Sequence, residues 1–257
     1  MVENKKPLIG IIGGKGKMGN WFKKIFEKAG LKVLVSDKKT ILTNKELAKK
    51  ADIIIVSAPI RKTGKIIKEI RSIIRKDALL CDITSLKIKP VSEMKKARSG
   101  ALGMHPLFGP SVSHLKGQTI VFCPIRNNQW VKFLKNIFIK SGGKIVEISP
   151  EEHDFQMALI QSLIHFVNIS LARTLKSYNV SLKPLLSTPS FCIQSLAIGR
   201  ILEQGVQLSC DIELENPYFK KILKSFLKNE KKLADDVINK NYINSETYTY
   251  RRVFFMR

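Results

Sequence analysis

The first 149 residues alternate short apolar runs with amphipathic segments. Seven apolar runs rich in Ile, Val and Leu predict β-strands, at 8–13, 32–37, 52–59, 78–84, 101–105, 118–124 and 144–149. The intervening segments carry apolar residues at helical spacing and predict helices at 17–29, 43–50, 61–76, 89–98 and 128–141. Such alternation is typical of a mostly parallel sheet covered on both faces, so this half is expected to be a Rossmann-like, doubly wound α/β fold.

The pattern changes at residue 149. Ser149 as N-cap, Pro150 in the first helical position and Glu152 in the third form a helix start signal. The segment continues to about Tyr178 without a breaker, and its middle, FQMALIQSLIHFVNISLA, is apolar on nearly all sides. A helix of that kind should be buried on most sides.

Further helical patterns cover 190–208 and 216–238. We therefore predict a dinucleotide-binding domain at 1–149 and an all-helical substrate-binding and dimerisation domain at 150–257. A helical domain of this size can hardly enclose the long apolar helix alone. We expect a homodimer whose helices pack across the interface.

A glycine-rich loop joins the first predicted strand to the first predicted helix. In IIGGKGKMGNWF, Gly14, Gly16 and Gly19 form a G-x-G-x-x-G pattern, with Lys17 and Met18 inside it. In dinucleotide-binding proteins the first glycine permits a tight turn, the second lets the backbone approach a pyrophosphate, and the third lets the helix pack closely. The helix N-terminus then faces the anion.

Asp37 ends the second strand, where a carboxylate can accept both ribose hydroxyls of an adenosine. It favours NAD over NADP, because a 2′-phosphate would meet its negative charge. Lys38 and Lys39 follow directly and soften that preference. Ser57 and Pro59, after the third strand, complete the predicted cofactor site. A glycine turn in some other α/β protein is the alternative.

Polar residues follow several predicted strands, at the edge where open α/β sheets bind ligands. Ser57 and Ser85 lie in VSAP and DITSLK, and His105 lies in GMHPLFGP. An imidazole there can take a hydroxyl proton while a hydride leaves the same carbon, and the flanking Gly and Pro would hold it in place. A structural histidine that caps a loop is the alternative.

The long helix carries Asp154, Gln161 and His165 at spacings that put all three on one face. Buried polar groups cost free energy unless they are satisfied or functional. His165 is therefore either a hydrogen-bonded core residue or one that faces the substrate. His114 and His153 are assigned to loop and cap positions.

Arg200, in SLAIGRILEQ, has apolar neighbours and suits bidentate capture of a carboxylate. An ion pair with Glu203 or an exposed helix position is the alternative, and Arg173 is a weaker candidate.

The net charge of +24 is concentrated in residues 1–150, which hold 31 Lys and Arg against 10 acidic residues. A basic half of this kind can bind nucleic acid through phosphates. The lysines nevertheless sit at helical spacing on predicted exposed faces, and aromatic residues are not interleaved for base stacking. We therefore disfavour a nucleic-acid partner and expect only attraction of small anions.

The four cysteines, Cys81, Cys123, Cys192 and Cys210, lie far apart without a CxxC pair. This spacing argues against a disulfide framework or a metal site and favours a reducing compartment, which points to the cytoplasm. The N-terminal apolar run is too short for a signal peptide, and no run approaches the roughly 18 apolar residues of a membrane span. The chain is expected to be soluble.

Taken together, these segments resemble the prephenate dehydrogenase family, closest to the dehydrogenase portion of the bacterial chorismate mutase/prephenate dehydrogenase type. The resemblance covers nearly the whole chain. It depends on GGKGKMG with Asp37, DITSLK, GMHPLFGP, EEHDFQMALIQSLIHF and SLAIGRILEQ, in family order.

The resemblance implies NAD-dependent oxidation and decarboxylation of prephenate to 4-hydroxyphenylpyruvate, on the route to tyrosine. His105 would take the proton of the ring hydroxyl, and Ser85 would share that hydroxyl. Arg200 would bind a substrate carboxylate, and His165 and Gln161 would line the pocket.

Departures from the family pattern keep alternatives open. No chorismate mutase segment precedes the first strand, so mutase activity is not expected. Cys192 stands where relatives often carry another arginine, which leaves the partner of the second carboxylate open. An amine in place of the side-chain keto group of prephenate would make the substrate arogenate.

β-Hydroxyacid dehydrogenases are an alternative enzyme class. They use a lysine on the helical domain, whereas this long helix has none before Lys176. A basic NAD-binding protein without enzyme activity is the non-enzyme alternative.

Overall fold

The computed structural model describes residues 6–178 and 188–240. Within these residues seven strands form one sheet in the order β2-β1-β3-β4-β5-β6-β7. The strands are β1 (Ile9–Ile12), β2 (Val33–Ser36), β3 (Ile53–Val56), β4 (Leu79–Asp82), β5 (Gly100–Pro106), β6 (Thr119–Arg126) and β7 (Lys144–Glu147). Strands β1 to β5 are parallel, β6 is antiparallel to β5, and β7 is parallel to β6. All seven predicted strands are confirmed.

Helices cover both faces of this sheet. They are α1 (Lys17–Lys28), α2 (Asn44–Lys50), α3 (Ile60–Ile70), α4 (Ile88–Met94) and α5 (Gln129–Lys140). Because side chains alternate along a strand, β3 sends Ile53 and Ile55 into one apolar cluster with α1 and α5, and Ile54 and Val56 into another with α2, α3 and α4. Two cores on opposite faces are the arrangement of a doubly wound sheet, and the predicted fold class is confirmed.

Local signals in the sequence define several helix ends. The Thr43 side chain accepts from the backbone N–H of Glu46 and the Glu46 carboxylate accepts from that of Thr43, so the two residues form a capping box. Ser149 accepts from the N–H of Glu152, with Pro150 in the first turn. By contrast, α3 ends at Ile70, six residues before its predicted end. The Arg75 side chain that follows instead pairs with Asp52.

The second half of the described chain is helical. Its helices are α6 (Pro150–Ser177), α7 (Pro189–Gln204), α8 (Val206–Glu215) and α9 (Phe219–Ile238). The predicted helix at 190–208 is two helices, because Gly205 adopts a φ of 94°, a conformation that interrupts helical geometry. Within α6, Ala158–Ser162 form a π-helical turn.

Helix α6 is the one helix in residues 6–178 and 188–240 that is long and apolar enough to cross a membrane by length and composition. The expectation that no segment approaches the length of a membrane span did not include α6, because polar residues interrupt its apolar run. Core helices of folded proteins pass the same test, and His153, Asp154 and Asn168 of α6 are buried against the rest of the chain. Only 28% of the apolar window is buried within the chain, which agrees with the expectation that a helical domain of this size can hardly enclose α6 alone.

The uncovered part of α6 continues onto α7. Ile160 and Ile164 of α6 and Ile193 and Leu196 of α7 are large apolar residues that remain exposed. Contiguous exposed apolar residues of this kind mark an interaction surface.

Candidate active site

A cavity of about 520 Å³ lies where the carboxyl edge of the sheet meets the helical half. Its lining combines the first turn of α1, the segments that follow β4 and β5, the π turn of α6, and α7. Ser85, His105, Gln161 and Arg200 all contribute to it, and so do Lys17 and Met18 of the glycine-rich loop. Ligands of open α/β sheets bind at this edge.

His105 lies at the end of β5 and is only 4% exposed. Its Nδ1 is 2.9 Å from Nε2 of His153, and Nδ1 of His153 is 2.8 Å from Oδ1 of Asp154. The pKa of His105 is held well below its ordinary value, first by burial and then by the electrostatic repulsion that a protonated His105 would meet from His153 and Lys87. The imidazole is therefore neutral near pH 7 and can accept a proton.

A buried ion pair supports the strand that carries His105. Lys87 is fully buried, and its Nζ donates to Oδ2 of Asp82 and, at 2.6 Å, to the carbonyl of Met104. Oδ2 of Asp82 also accepts from the N–H and the hydroxyl of Thr84. The ammonium thus links the β4–α4 loop to the residue that precedes His105.

Asp154 joins the first turn of α6 to the first turn of α4. Its Oδ1 accepts from the backbone N–H of Lys87 at 2.7 Å, and its Oδ2 accepts from that of Ile88 at 2.9 Å. A carboxylate is favoured at a helix N-terminus by the unpaired N–H groups and the helix dipole. The first turn of the helical half is therefore bound to the nucleotide-binding half directly beneath His105.

The expected polar face of the long helix is divided in the structure. Gln161 lines the cavity, whereas Asp154 binds α4 and His165 is buried outside the cavity lining. The π turn lies between Asp154 and His165 and departs from 100° per residue, and only Gln161 of the three residues lines the cavity. Within the described residues Oε1 of Gln161 and Nδ1 of His165 are buried without a hydrogen-bond partner. Burial lowers the pKa of His165.

Arg200 lies on α7, is exposed, and lines the cavity together with Glu203. Among the ion pairs of residues 6–178 and 188–240, none includes Arg200 or Glu203, so the alternative of an internal pair between them is not observed. The guanidinium can therefore bind a ligand carboxylate. Ser85, in the loop after β4, lines the same cavity from the nucleotide-binding half.

The glycine-rich loop turns at Gly13, which has a φ of 81°, and not at Gly14 as expected. A side chain at Gly13 would also meet the carbonyl of Ser57, at 2.0 Å. Gly14 instead packs against Val35, where a Cβ would come within 2.7 Å of Cγ1. Gly19 has the expected role, because its Cβ would lie 2.3 Å from the carbonyl of Gly13 and would push α1 away from the sheet.

The loop residues can hold a dinucleotide. Gly16 is the N-cap of α1, so the unpaired N–H groups of the first helical turn, at Lys17 and Met18, lie at the cavity. The Asp37 carboxylate accepts from the N–H of Lys15 at 3.0 Å and from that of Lys38 at 2.8 Å, which fixes it beside the loop.

Ser57 and Pro59 border the same loop from β3. The N–H of Ser57 donates to the carbonyl of Ile12, and Pro59 is the N-cap of α3. Neither residue lines the 520 Å³ cavity.

Sequence reasoning missed three residues at this site: His153, Lys87 and Asp82. Their signal was present in EEHD and DITSLK, where a His-Asp pair starts a buried helix and a Lys lies five residues after an Asp. His153 was expected to be a cap residue, but it is fully buried and contacts His105.

Comparison with known proteins identifies the family. Residues 24–147 match the prephenate dehydrogenase nucleotide-binding domain, and residues 149–247 match the prephenate dehydrogenase dimerization domain. The chain belongs to the prephenate dehydrogenase family. The family that its motifs resemble is therefore confirmed.

Two relatives show how much of a family member this chain spans. It is 34% identical over 262 residues to a Methanocaldococcus jannaschii protein named "Probable arogenate/prephenate dehydrogenase", covering 93% of this chain and 59% of that protein. It is 36% identical over 213 residues to the T-protein of Enterobacter agglomerans, covering 80% of this chain and 56% of that protein. The chain thus spans little more than half the length of these relatives.

Solved structures share the fold. The prephenate dehydrogenase of Aquifex aeolicus, crystallised with hydroxyphenyl propionate and NAD+, aligns with a TM-score of 0.71 at 22% identity and covers 93% of each chain. The arogenate dehydrogenase of Synechocystis aligns with a TM-score of 0.67 at 17% identity, covering 91% of this chain and 93% of that one.

Proposed function

We propose that this chain is an NAD-dependent prephenate dehydrogenase, which oxidises and decarboxylates prephenate to 4-hydroxyphenylpyruvate on the route to tyrosine. The observation that carries the proposal is that His105 and Arg200, from different halves of the chain, line one cavity together with Lys17 and Met18 of the glycine-rich loop. A general base, a side chain that binds anions and a nucleotide-binding loop would then surround a small dianionic substrate.

The nucleotide-binding half would hold NAD through three groups. The first turn of α1 would bind the pyrophosphate, Gly16 would let the backbone approach it, and the Asp37 carboxylate would accept hydrogen bonds from the adenosine ribose hydroxyls. NAD supplies, when bound, the acceptor for the hydride that leaves C4 of the substrate ring.

The chain's own residues would orient the substrate and move one proton. Neutral His105 takes the proton of the C4 hydroxyl as the hydride leaves, and Ser85 hydrogen-bonds the same oxygen. The electrons of the bond to the ring carboxylate then enter the ring, CO2 departs, and the C4 oxygen recovers a proton as the ring becomes aromatic. Because aromatisation drives decarboxylation, the protein mainly needs to orient the ring, accept the proton and hold the anion.

Arg200 would bind a substrate carboxylate with two charge-assisted hydrogen bonds. Gln161, from the π turn, would line the pocket beside it, and π turns often occur at functional sites. His165 does not line the cavity, and its Nδ1 is buried without a partner among the described residues.

A second substrate, arogenate, is favoured by one observation. Glu203 lines the cavity with Arg200, and its carboxylate would attract the side-chain ammonium group that arogenate has and prephenate lacks. Cys192, the residue at the position where relatives often carry an arginine, is exposed and supplies no positive charge.

We infer that the chain works as a homodimer in the cytoplasm. The exposed apolar residues of α6 and α7 need a partner, and a second copy is favoured because residues 149–247 match the family's dimerization domain. The four cysteines are free, as is typical of a reducing compartment.

A rate assay tests the proposal. Purified protein is mixed with prephenate or arogenate and with NAD or NADP, and NADH or NADPH absorbance is followed. We expect the highest kcat/KM with prephenate and NAD, and a loss of about 10²- to 10⁴-fold in kcat for His105→Asn, the range for removal of a general base.

The matched control is His114→Asn, which removes an exposed loop histidine and should leave the rate unchanged. NAD titration should show unchanged cofactor affinity in both variants. Normal turnover by His105→Asn would remove the base from the mechanism. NAD binding without turnover of either substrate by the wild type would favour the non-enzyme alternative.

A further inference from the structure

A chain of hydrogen bonds leads away from the cavity behind His105. Nδ1 of His105 lies 2.9 Å from Nε2 of His153, whose Nδ1 lies 2.8 Å from Oδ1 of Asp154. The three side chains are buried, at 4%, 0% and 1% exposure. The proposed reaction uses His105 directly and assigns no role to His153 or Asp154.

The positions of the protons follow from the end of this chain. Asp154 already accepts from the backbone N–H groups of Lys87 and Ile88, one on each carboxyl oxygen, and hydrogen bonds of this kind favour the ionised form. Nδ1 of His153 must then carry the hydrogen that points at Oδ1 of Asp154. A neutral imidazole with a hydrogen on Nδ1 has only a lone pair on Nε2.

The same logic sets the tautomer of His105. Because Nε2 of His153 is an acceptor, Nδ1 of His105 must donate to it. Nε2 of His105 is then left with a lone pair, on the side of the ring opposite His153. We propose that His153, held by Asp154, is a positioning residue that fixes the tautomer and ring orientation in which His105 presents a bare Nε2 to the cavity.

The Asp154 carboxylate disfavours the reverse arrangement of the two ring hydrogens. If Nε2 of His153 donated to His105, a lone pair on its Nδ1 would face Oδ1 of Asp154 at 2.8 Å, and a buried charge-assisted hydrogen bond would be lost. Both rings are neutral in this arrangement. Burial is the first cause of a lowered pKa at each histidine, and the Lys87 ammonium adds to it.

The charged groups around the two rings are Asp154 and the buried Lys87–Asp82 ion pair. Of these, Asp154 is the charge that contacts His153 directly. When His105 gains a proton on Nε2, its Nδ1–H becomes a stronger donor to His153, so the same contact stabilises the protonated base. This consequence for catalysis depends on the proposed function, whereas the tautomer does not.

Nuclear magnetic resonance can read the tautomers directly, because the chain has only four histidines. Long-range ¹H–¹⁵N correlation of uniformly ¹⁵N-labelled full-length protein separates protonated from bare ring nitrogens. Loss of signals in His105→Asn, His153→Gln and His114→Asn assigns the rings. We expect a hydrogen on Nδ1 and none on Nε2 for both His105 and His153 in the wild type.

Kinetics test the functional half of the inference. His153→Phe keeps a ring but removes the acceptor. We expect kcat to fall about 10- to 100-fold, the size of effect seen when an imidazole loses the hydrogen bond that orients it, while KM is unchanged. His153→Gln should recover much of the rate, because its amide can accept from His105 and donate to Asp154. His114→Asn should match the wild type.

A hydrogen on Nε2 of His105 in the wild type would overturn the proposal, and so would a wild-type kcat in His153→Phe. The tautomers are read without substrate. A bare Nε2 in a protein that turns over neither prephenate nor arogenate would therefore refute the proposed function and support the positioning role of His153.

Discussion

Replacing Lys87 tests how strongly the buried ion pair supports the catalytic strand. Lys87 and Asp82 are both fully buried, and the Lys87 ammonium also donates to the carbonyl of Met104. Lys87→Met keeps the length of the side chain but leaves the Asp82 carboxylate buried with only the Thr84 donors. The variant should also lower kcat, because Met104 directly precedes His105.

The expected cost follows from the unpaired charge. Removing one partner of a buried ion pair destabilises a protein by about 3–5 kcal/mol, because the remaining charge stays out of water. The double variant Lys87→Met with Asp82→Asn removes that charge and should be more stable than Lys87→Met alone, with a coupling energy of up to about 3 kcal/mol. Lys89→Met is the control. Its side chain is 66% exposed and pairs with Glu215, so the expected cost is about 0–1 kcal/mol.

Urea unfolding followed by tryptophan fluorescence measures these free energies. Both tryptophans, Trp21 and Trp130, lie in the nucleotide-binding half, so their signal reports on the half that contains the pair. A Lys87→Met variant no less stable than Lys89→Met would refute the reasoning. A double variant less stable than Lys87→Met would refute it as well, because relief of the unpaired charge could not then be the dominant effect.

Two further predictions concern ligand binding. Arg200→Gln should raise KM for prephenate about 10- to 100-fold with little change in kcat, because a hydrogen bond to a charged group contributes about 1.5–3 kcal/mol. Steady-state assays measure this effect. An unchanged KM would mean that another residue binds the carboxylate. Asp37→Ser should weaken NAD and strengthen NADP, because it removes the negative charge that a 2′-phosphate would meet while Lys15 and Lys38 remain beside it. The ratio of kcat/KM for the two cofactors measures this shift, and a ratio equal to that of the wild type would contradict the assigned role of Asp37.

The fold was predictable because its signals are local. Each strand is a short apolar run, and the capping box of Thr43 and Glu46 depends on residues three positions apart. The split of the predicted helix at 190–208 escaped because a single glycine inside a helical pattern is usually tolerated, whereas Gly205 adopts a positive φ. The π turn at Ala158–Ser162 escaped because periodicity assumes a constant angle per residue.

The candidate site was predictable in part. His105, Ser85, Gln161 and Arg200 could be identified by residue type and by position at strand ends or in apolar surroundings, and they line one cavity. The contact between His105 and His153 joins residues 48 positions apart. No spacing rule connects such residues, since the contact exists only because Asp154 binds the N-terminus of α4 and brings α6 under β5.

Because α6 docks on α4, residues from both halves of the chain belong to one hydrogen-bond network. His153 and Asp154 belong to the helical half by position, yet their partners are His105, Lys87 and Ile88. A fragment cut after residue 149 would retain the whole sheet and still lose the support of its imidazole. A chimera that joins this sheet to a relative's helices should therefore inherit the first turn of the long helix together with the strand it supports.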